Sequence, residues 1–473
     1  MKYRFTALVG LFLMALSIMA EGQAKYVFYF IGDGMGVNQV NVSETYLGAL
    51  EGRIGTVDMC FPSFPFAGVA TTHSANSGVT DSAAGGTALA TGHKTVNGTL
   101  GMKADKKEAV QSVAVWAQDA GAAVGITTSV SVDHATPASF YAHVPNRSEY
   151  YKVGQQMIES KFDFFGGSDL LKPKNPTEGG PDLYAQCQSA GYTIARGYKE
   201  YQKKCKKADK MILLQTEEAS KIDRGSIPYA IDRQKGDMTL TEITRAAINF
   251  LTKKQAEKNG FFLMVEGGKI DWVCHANDAK AVIQETIDMD EAVKVAYEFY
   301  EQHPDETLIV VTADHETGGI SLGRGPYELH LDQLRHQQIS VNKLGSDLHK
   351  MHQKYGEKYS WDLVKKYLTD NFGLWEQIKL SDEQNKRLEN AFQNIIAGKG
   401  KDDKTLYQKD DELATAVKHI MSEVALVGWT SGSHSGGYVP VFAIGAGAEN
   451  FTGRMDNTEV PLRIAKATGW KVR

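Results

Sequence analysis

The chain has 473 residues, 52 Lys and Arg against 57 Asp and Glu, a net charge of −5 and 42% hydrophobic residues. That balance excludes a disordered, collagen-like or coiled-coil protein. Without a long Lys/Arg-rich stripe there is no electrostatic footprint for wrapping nucleic acid, so a small-molecule or ester substrate is expected, with no nucleic acid as a specific partner.

Lys2 and Arg4 precede an apolar stretch from Phe5 to Met19, too short for a bilayer span and shaped like a secretory leader. Residues 1–24 are therefore read as a cleavable signal peptide, cut after Ala20 or after Ala24. No cysteine follows to carry a lipid, and no later run reaches the ~18 apolar residues of a membrane helix. A periplasmic or secreted protein without a membrane anchor is expected. In such a compartment Cys187 and Cys205 could close a short loop, whereas Cys60 and Cys274 lack an obvious mate and Cys274 is expected as a buried free thiol.

The first strand, Tyr26 to Ile31, runs into Gly32-Asp33-Gly34-Met35-Gly36. Asp33 at its end is either a helix cap or a functional carboxylate; the dinucleotide fingerprint fails because Val37 stands where its third glycine belongs. Next, Val79-Thr80-Asp81-Ser82-Ala83-Ala84-Gly85-Gly86-Thr87 opens an alanine-rich helix. Ser82 is either a capping serine or a nucleophile placed where backbone N–H groups and the helix dipole favour an anion. Without glycine at position 80 it is not the α/β-hydrolase elbow, and a metal rather than a histidine would have to activate it.

Helical spacing over Lys106 to Ala117 leads to a strand at Ala123 to Thr128, another follows at Met211 to Leu214, and Thr239 to Glu257 is helical again. The strand Phe261 to Val265 ends at Glu266 and two glycines, after which a helix predicted from about Asp271 to Tyr300 carries Asp271 and His275 four residues apart, on one face. That pair beside a strand-end carboxylate suits a divalent metal, zinc especially; the plainer reading is a surface pair worth tenths of a kcal/mol. The strand Thr307 to Thr312 runs into Ala313-Asp314-His315-Glu316, and His434 lies in a small-residue loop before the last strand, Val439 to Ile444.

Alternating strands and helices predict an α/β fold with a large central, mostly parallel sheet and helices on both faces, its ligand site beyond the C-terminal strand ends. Residues 325–427 break the rhythm. They are rich in Lys, Glu, Gln and Leu, include the charged run Lys399 to Lys404, and read as a helical insertion within one catalytic domain over 25–473. The insertion is either a surface decoration or a cap over the site or oligomer contact.

Read in order, Asp33-Gly34-Met35-Gly36, Thr80-Asp81-Ser82-Ala83-Ala84, His134-Ala135-Thr136-Pro137, Glu266-Gly267 with Asp271 and His275, Thr312-Ala313-Asp314-His315, and His434 together resemble the alkaline phosphatases. The resemblance runs from about residue 25 to the C-terminus apart from the insertion. It implies a metal-dependent phosphomonoesterase of broad substrate range that works through a phosphoserine on Ser82. One zinc would be held by Asp271, His275 and His434 and a second by Asp33, Asp314 and His315, with a magnesium on Asp33, Thr136 and Glu266. Arg147 falls where the family's phosphate-clamping arginine lies, and a guanidinium can hold two phosphate oxygens at once. Four carboxylates against three divalent cations leave a positive charge that a phosphate dianion balances.

Two positions depart from the commoner pattern: His134 stands where many bacterial members have aspartate, and Trp272 where lysine or histidine is frequent. His134 offers no anionic oxygen to magnesium, which lowers the expected affinity of the third site. Trp272 removes a cation that would hold phosphate through water, so faster phosphate release is expected. This pairing and the insertion look like a marine-bacterial subgroup in which the insertion forms a crown near the interface of a homodimer. A sulfatase would need Pro and Arg after the nucleophile, and Ser82-Ala83-Ala84-Gly85-Gly86 has neither. A phosphodiesterase would need room for a second ester group, and an exported phosphate- or metal-binding protein would not need Ser82.

Overall fold

A computed structural model describes residues 23–473 except 178, 255–258 and 405–408; the predicted leader lies outside these residues apart from Gln23 and Ala24. Eight strands come first: β1 (Tyr26–Gly32), β2 (Phe66–Thr71), β3 (Ala123–Thr128), β4 (Phe164–Gly167), β5 (Tyr192–Arg196), β6 (Lys210–Leu214), β7 (Phe261–Gly267) and β8 (Thr307–Thr312). They are followed by the short β9 (Glu316–Thr317) and β10 (His434–Ser435), then β11 (Val439–Gly445) and β12 (Gly453–Asp456). All but β9 and β10 form one ten-stranded sheet in the order β12-β2-β11-β8-β1-β7-β3-β4-β6-β5. Only β11 runs against the rest. The central strands β1, β7 and β8 are buried along their whole length, so they read as continuous apolar runs rather than alternating ones.

Register positions the chemistry. Ile31 lies opposite Glu266 on one side and Thr312 on the other, and Thr128 also pairs with Glu266. The residues just past these positions, Asp33 and Asp314, therefore leave the sheet at the same edge as Glu266, as expected for an α/β ligand site. At the opposite end of the strands Tyr26, Phe28, Phe261 and Phe299 meet edge to face or tilted, with centroids 5.1–5.5 Å apart.

Of the helices, α1 (Val37–Leu50), α2 (Ser82–Thr91) and α3 (Val113–Asp119) precede the middle of the sheet, and α4 (Leu240–Lys253), α5 (Lys269–His275) and α6 (Ala279–Gln302) surround β7 in sequence. The predicted helix from Lys106 begins only at Val113, because Ser112 accepts the Val115 N–H as a cap and Lys106 takes φ 60° in a turn. The predicted helix from Asp271 to Tyr300 is two helices: Asn277 takes φ 54°, and Asp278 caps α6 through the Ala281 N–H. Capping by Thr239 and Glu242 starts α4, and the predicted end at Glu257 lies outside the described residues.

Strands β2, β4, β5 and β12 were not predicted from the sequence. β4 is only Phe-Phe-Gly-Gly, and the β2 sequence has Gly68 where a Cβ would fall 2.5 Å from the Gly453 carbonyl of β12. The four cysteines are all free thiols, so Cys187 and Cys205 close no loop. Cys187 packs in the main core, which pushes its thiol up to about 12, and Cys274 is buried as expected.

Residues 325–427 are helical, with α7 (Val341–Tyr355), α8 (Trp361–Phe372), α9 (Asp382–Ile396) and α10 (Glu412–Ala425). They build an apolar core of their own, including Leu344, Leu368, Phe372, Leu388 and Val417, which reaches α1 at Val42 and Tyr46 and α6 at Ala279 and Ile283.

At that junction the Lys280 Nζ donates to the Tyr46 hydroxyl at 2.6 Å and lies 4.2 Å above its ring. Burial brings Lys280 down to about 8 despite Asp278 nearby. An unfolded lysine titrates near ~10.4, so between the two values the unfolded chain holds a proton the folded one has given up. The penalty for burying this ammonium is fully present below pH 8 and is relieved as pH rises through that window, by about 3 kcal/mol at most. Denaturant unfolding from pH 7.5 to 10.5 should show this rise in the wild type, and Lys280→Met should flatten it and be the more stable protein at the lower end.

Candidate metal and nucleophile site

Asp81 caps α2. One carboxylate oxygen accepts from the Ala84 N–H at 3.0 Å; the other accepts from the Gly98 N–H at 3.0 Å and from the Arg147 guanidinium at 3.2 Å. Since Asp81 does the capping, the hydroxyl of Ser82 at the first helical position is left for other work. It is fully buried and stands 3.4 Å from His315 Nε2. The small residues of α2 permit this approach: a Cβ on Gly85 would lie 2.9 Å from the Asp314 carbonyl oxygen.

Asp271 and His275 come from successive turns of α5, and β10 brings His434 to them. His275 Nδ1 lies 2.7 Å from the Gly432 carbonyl and His434 Nδ1 lies 2.8 Å from that of Thr80. Carbonyls only accept, so both Nδ1 atoms carry hydrogen, and in neutral rings the Nε2 lone pairs face each other across 3.1 Å. Asp271 Oδ1 lies 3.3 Å from one Nε2 and 3.4 Å from the other. Two lone pairs and a carboxylate pointed at one spot call for a cation, and two imidazoles with one carboxylate are a donor set that zinc takes. Without an ion a proton fills the role: burial opposes it, but Asp271 holds His434 up at about 9. Burial likewise opposes ionisation of Asp271, yet His275 and His434 keep its carboxyl well below the usual range.

The second group lies on the other side of Asp271. His315 Nε2 is 3.4 Å from Asp33 Oδ1 and 3.3 Å from Asp314 Oδ2, and its ring stacks on His434 with centroids 3.6 Å apart. Asp33, Asp271 and His315 present ligand atoms within 4.8 Å of one another, and so, separately, do Asp33, His134 and Glu266. Thr128 donates to Glu266 Oε2, and the buried Thr136 lies beside that carboxyl.

Both oxygens of Asp33 and one each of Glu266, Asp271 and Asp314 are buried without a hydrogen bond from any described residue. Burial, and then Asp314, lifts Asp33 well above the usual carboxylate range; burial pushes Glu266 up to about 8 and, with Asp271, Asp314 up to about 7. Four buried carboxylates converging with five oxygens left undonated make a poor structural element and a good cradle for divalent cations.

Arg147, Asp81 and His134 form the rim beside Ser82. The Arg147 Nη2 is 3.4 Å from His134 Nε2, and burial, then the guanidinium, brings His134 down to about 3, a neutral imidazole at any ordinary pH. Trp272 stands edge-on to the His134 ring with centroids 6.1 Å apart. All twelve side chains singled out in the sequence thus lie in or beside one cluster.

Three contributors were not read from the sequence. Asp81 shows itself only through its helix-cap spacing to Ala84. Glu316 is buried and accepts from Gln39, the Gly319 N–H and Ser435, tying β9 to α1 and to the strand that carries His434. Thr317 reaches Asp271 and His315, contacts no local pattern announces.

A family model described as alkaline phosphatase matches residues 24–470. Alkaline phosphatase 3 of Bacillus subtilis is 29% identical over 460 residues, covering 96% of this chain and 91% of the relative. A cold-active alkaline phosphatase from a psychrophilic Shewanella superposes with a TM-score of 0.78 at 25% identity, over 94% of this chain and 99% of the other. A variant of the Antarctic TAB5 alkaline phosphatase, with glutamate in place of a histidine and magnesium bound in its M3 site, superposes with a TM-score of 0.66 at 26% identity, over 95% and 99% of the two chains.

Proposed function

The chain belongs to the alkaline phosphatase family and is a metal-binding phosphomonoesterase, and from that premise we propose that it hydrolyses a broad range of phosphate monoesters through a phosphoserine on Ser82. Two zinc ions would be held by Asp271, His275 and His434 and by Asp33, Asp314 and His315, and a magnesium by Asp33, Thr136 and Glu266. The observation that carries the reading is the placement of Ser82, a buried hydroxyl at a helix N-terminus, 3.4 Å from a histidine that lies among buried carboxylates with undonated oxygens.

When bound, the metals supply Lewis-acid charge that acidifies the serine hydroxyl and water and neutralises the charge that builds on phosphate oxygens. The chain supplies the rest. Arg147, held by Asp81, presents its fork to two phosphate oxygens and sets the phosphorus in line with Ser82 Oγ. The N–H groups of the first turn of α2 and its dipole favour the anion. Ser82 Oγ loses its proton and bonds to phosphorus as the alcohol oxygen departs and takes up a proton. Water then enters from the side the alcohol left and gives up a proton as its oxygen bonds to phosphorus and the bond to Ser82 breaks; Ser82 Oγ regains a proton, inorganic phosphate leaves, and the two inversions give net retention.

His134 puts a nitrogen where magnesium prefers oxygen, so the third ion should be held weakly. The TAB5 variant that carries a glutamate and magnesium at its M3 site supports this reading. Export follows from the leader; Ala24 is buried and its N–H donates to the Ala467 carbonyl at 3.0 Å, a bond that cleavage after Ala20 preserves. Among the described residues no helix is long and apolar enough to cross a membrane. A homodimer is supported by an apolar groove of about 730 Å³ at the base of the insertion, where Ile54 and Tyr327 are fully exposed.

Turnover of p-nitrophenyl phosphate beside bis-p-nitrophenyl phosphate and p-nitrophenyl sulfate tests the reaction. The monoester should exceed the other two by about 100-fold or more, and equal or better diester or sulfate turnover would reject it. Elemental analysis of the same protein should find two zinc ions per chain and less than one magnesium.

A further inference from the structure

Thr317 is fully buried in β9, where it pairs with His434 of β10. Its backbone is fixed on both sides: the N–H donates to the Gly34 carbonyl at 3.2 Å and the carbonyl accepts from Gln39 Nε2 at 2.8 Å. Its hydroxyl donates to Asp271 Oδ1 at 2.6 Å and stands 3.2 Å from His315 Nδ1. Gly34, at φ 73°, leaves room for that hydroxyl, since a Cβ there would lie 2.9 Å from Thr317 Oγ1.

A hydroxyl has one proton, and a carboxylate facing two imidazoles has none to give. The proton of Thr317 is therefore committed to Asp271, and its oxygen has only lone pairs left for His315. The contact to His315 Nδ1 is then a hydrogen bond only when Nδ1 carries the hydrogen, which leaves Nε2 bare. Nε2 is the nitrogen that faces Asp33, Asp314 and Ser82 at 3.4, 3.3 and 3.4 Å.

We propose that Thr317 is a positioning residue that joins the two zinc subsites in one directed chain, from His315 Nδ1–H to Thr317 Oγ to Asp271, so that the tautomer of one ligand and the orientation of the other are set together. This rests on the reading above that Asp271 and His315 serve different ions. Its consequence is that the two subsites gain and lose affinity as a pair.

Zinc affinity is measured by chelator competition on the full chain. Thr317→Val keeps the shape and removes the hydroxyl, and it should weaken both zinc ions by roughly 10–100-fold, while Thr317→Ser restores both. Weakening of a single subsite, unchanged affinity in the valine variant, or a serine variant as weak as valine would overturn the proposal. If the valine variant does not fold, nitrogen NMR of histidine in the zinc-loaded wild type decides: His315 should carry its proton on Nδ1, and an Nδ1 without one overturns the relay. A wild type that binds fewer than two zinc ions would instead refute the metal assignment.

Discussion

Ser82→Ala should lower monoester turnover by at least about 10³-fold while leaving the folded, metal-loaded protein intact. Both halves of that expectation come from the division of labour at the start of α2. Asp81 satisfies the helix terminus and holds Arg147, so removing the Ser82 hydroxyl takes away no cap and no phosphate contact. Alanine is also the better helix former in a segment already rich in alanine. The unfolding temperature of the variant should stay with that of the wild type, and inorganic phosphate should still protect it. Acid quenching during turnover of ³²P-labelled substrate should leave label on wild-type protein and none on Ser82→Ala. A variant that keeps a tenth of the activity would show that the serine is not the nucleophile and that water attacks the ester directly.

Much of this site is visible in the sequence because it is built at strand ends. A strand buried on both faces reads as a short apolar run, so the acidic residues that end it stand out: Asp33 after β1, Glu266 in β7, Asp314 after β8. The helical spacing of Asp271 and His275 is equally local. Adjacent strands β7, β1 and β8 then carry their ends to one edge by register alone. The central strands were legible for the same reason, and 325–427 read as helical from its Lys, Glu, Gln and Leu content.

Contacts between distant segments are encoded in no local pattern: Arg147 meets Asp81 across 66 residues and His434 meets His275 across 159, and it was the family resemblance that set Arg147 at the phosphate and His434 with His275. Thr317 sits two residues past a metal-ligand motif and looks like an ordinary β-former until β9 turns its hydroxyl toward Asp271. The break between α5 and α6 was hidden because Asn277 and Asp278 interrupt the helical spacing for less than one turn. Only the left-handed backbone at Asn277 and the cap at Asp278 separate the helix that carries ligands from the long one that supports the sheet. Strands β4 and β12 were invisible because each is four residues long and carries at least one glycine.

Asp33 is the residue on which the assembly turns, since it faces both His315 with Asp271 and His134 with Glu266. Asp33→Asn keeps its shape and removes its charge. In the metal-loaded enzyme it should release zinc from the His315 subsite and magnesium from the third, and lower turnover by on the order of 10³-fold. In protein stripped by chelator the sign reverses. There the carboxyl of Asp33 is buried, receives no hydrogen bond from any described residue and faces three other carboxylates. Its pKa is raised above the unfolded value, so its stability contribution is whole below that value and is lost as pH rises toward the folded one. At neutral pH and above, the stripped asparagine variant should therefore be the more stable protein, by roughly 1–3 kcal/mol. Thermal unfolding of both proteins with and without metals measures the crossing directly. A stripped variant no more stable than stripped wild type would mean that the four carboxylates relax apart when the ions leave, and that the cradle is shaped by the metals rather than held ready by the sheet edge.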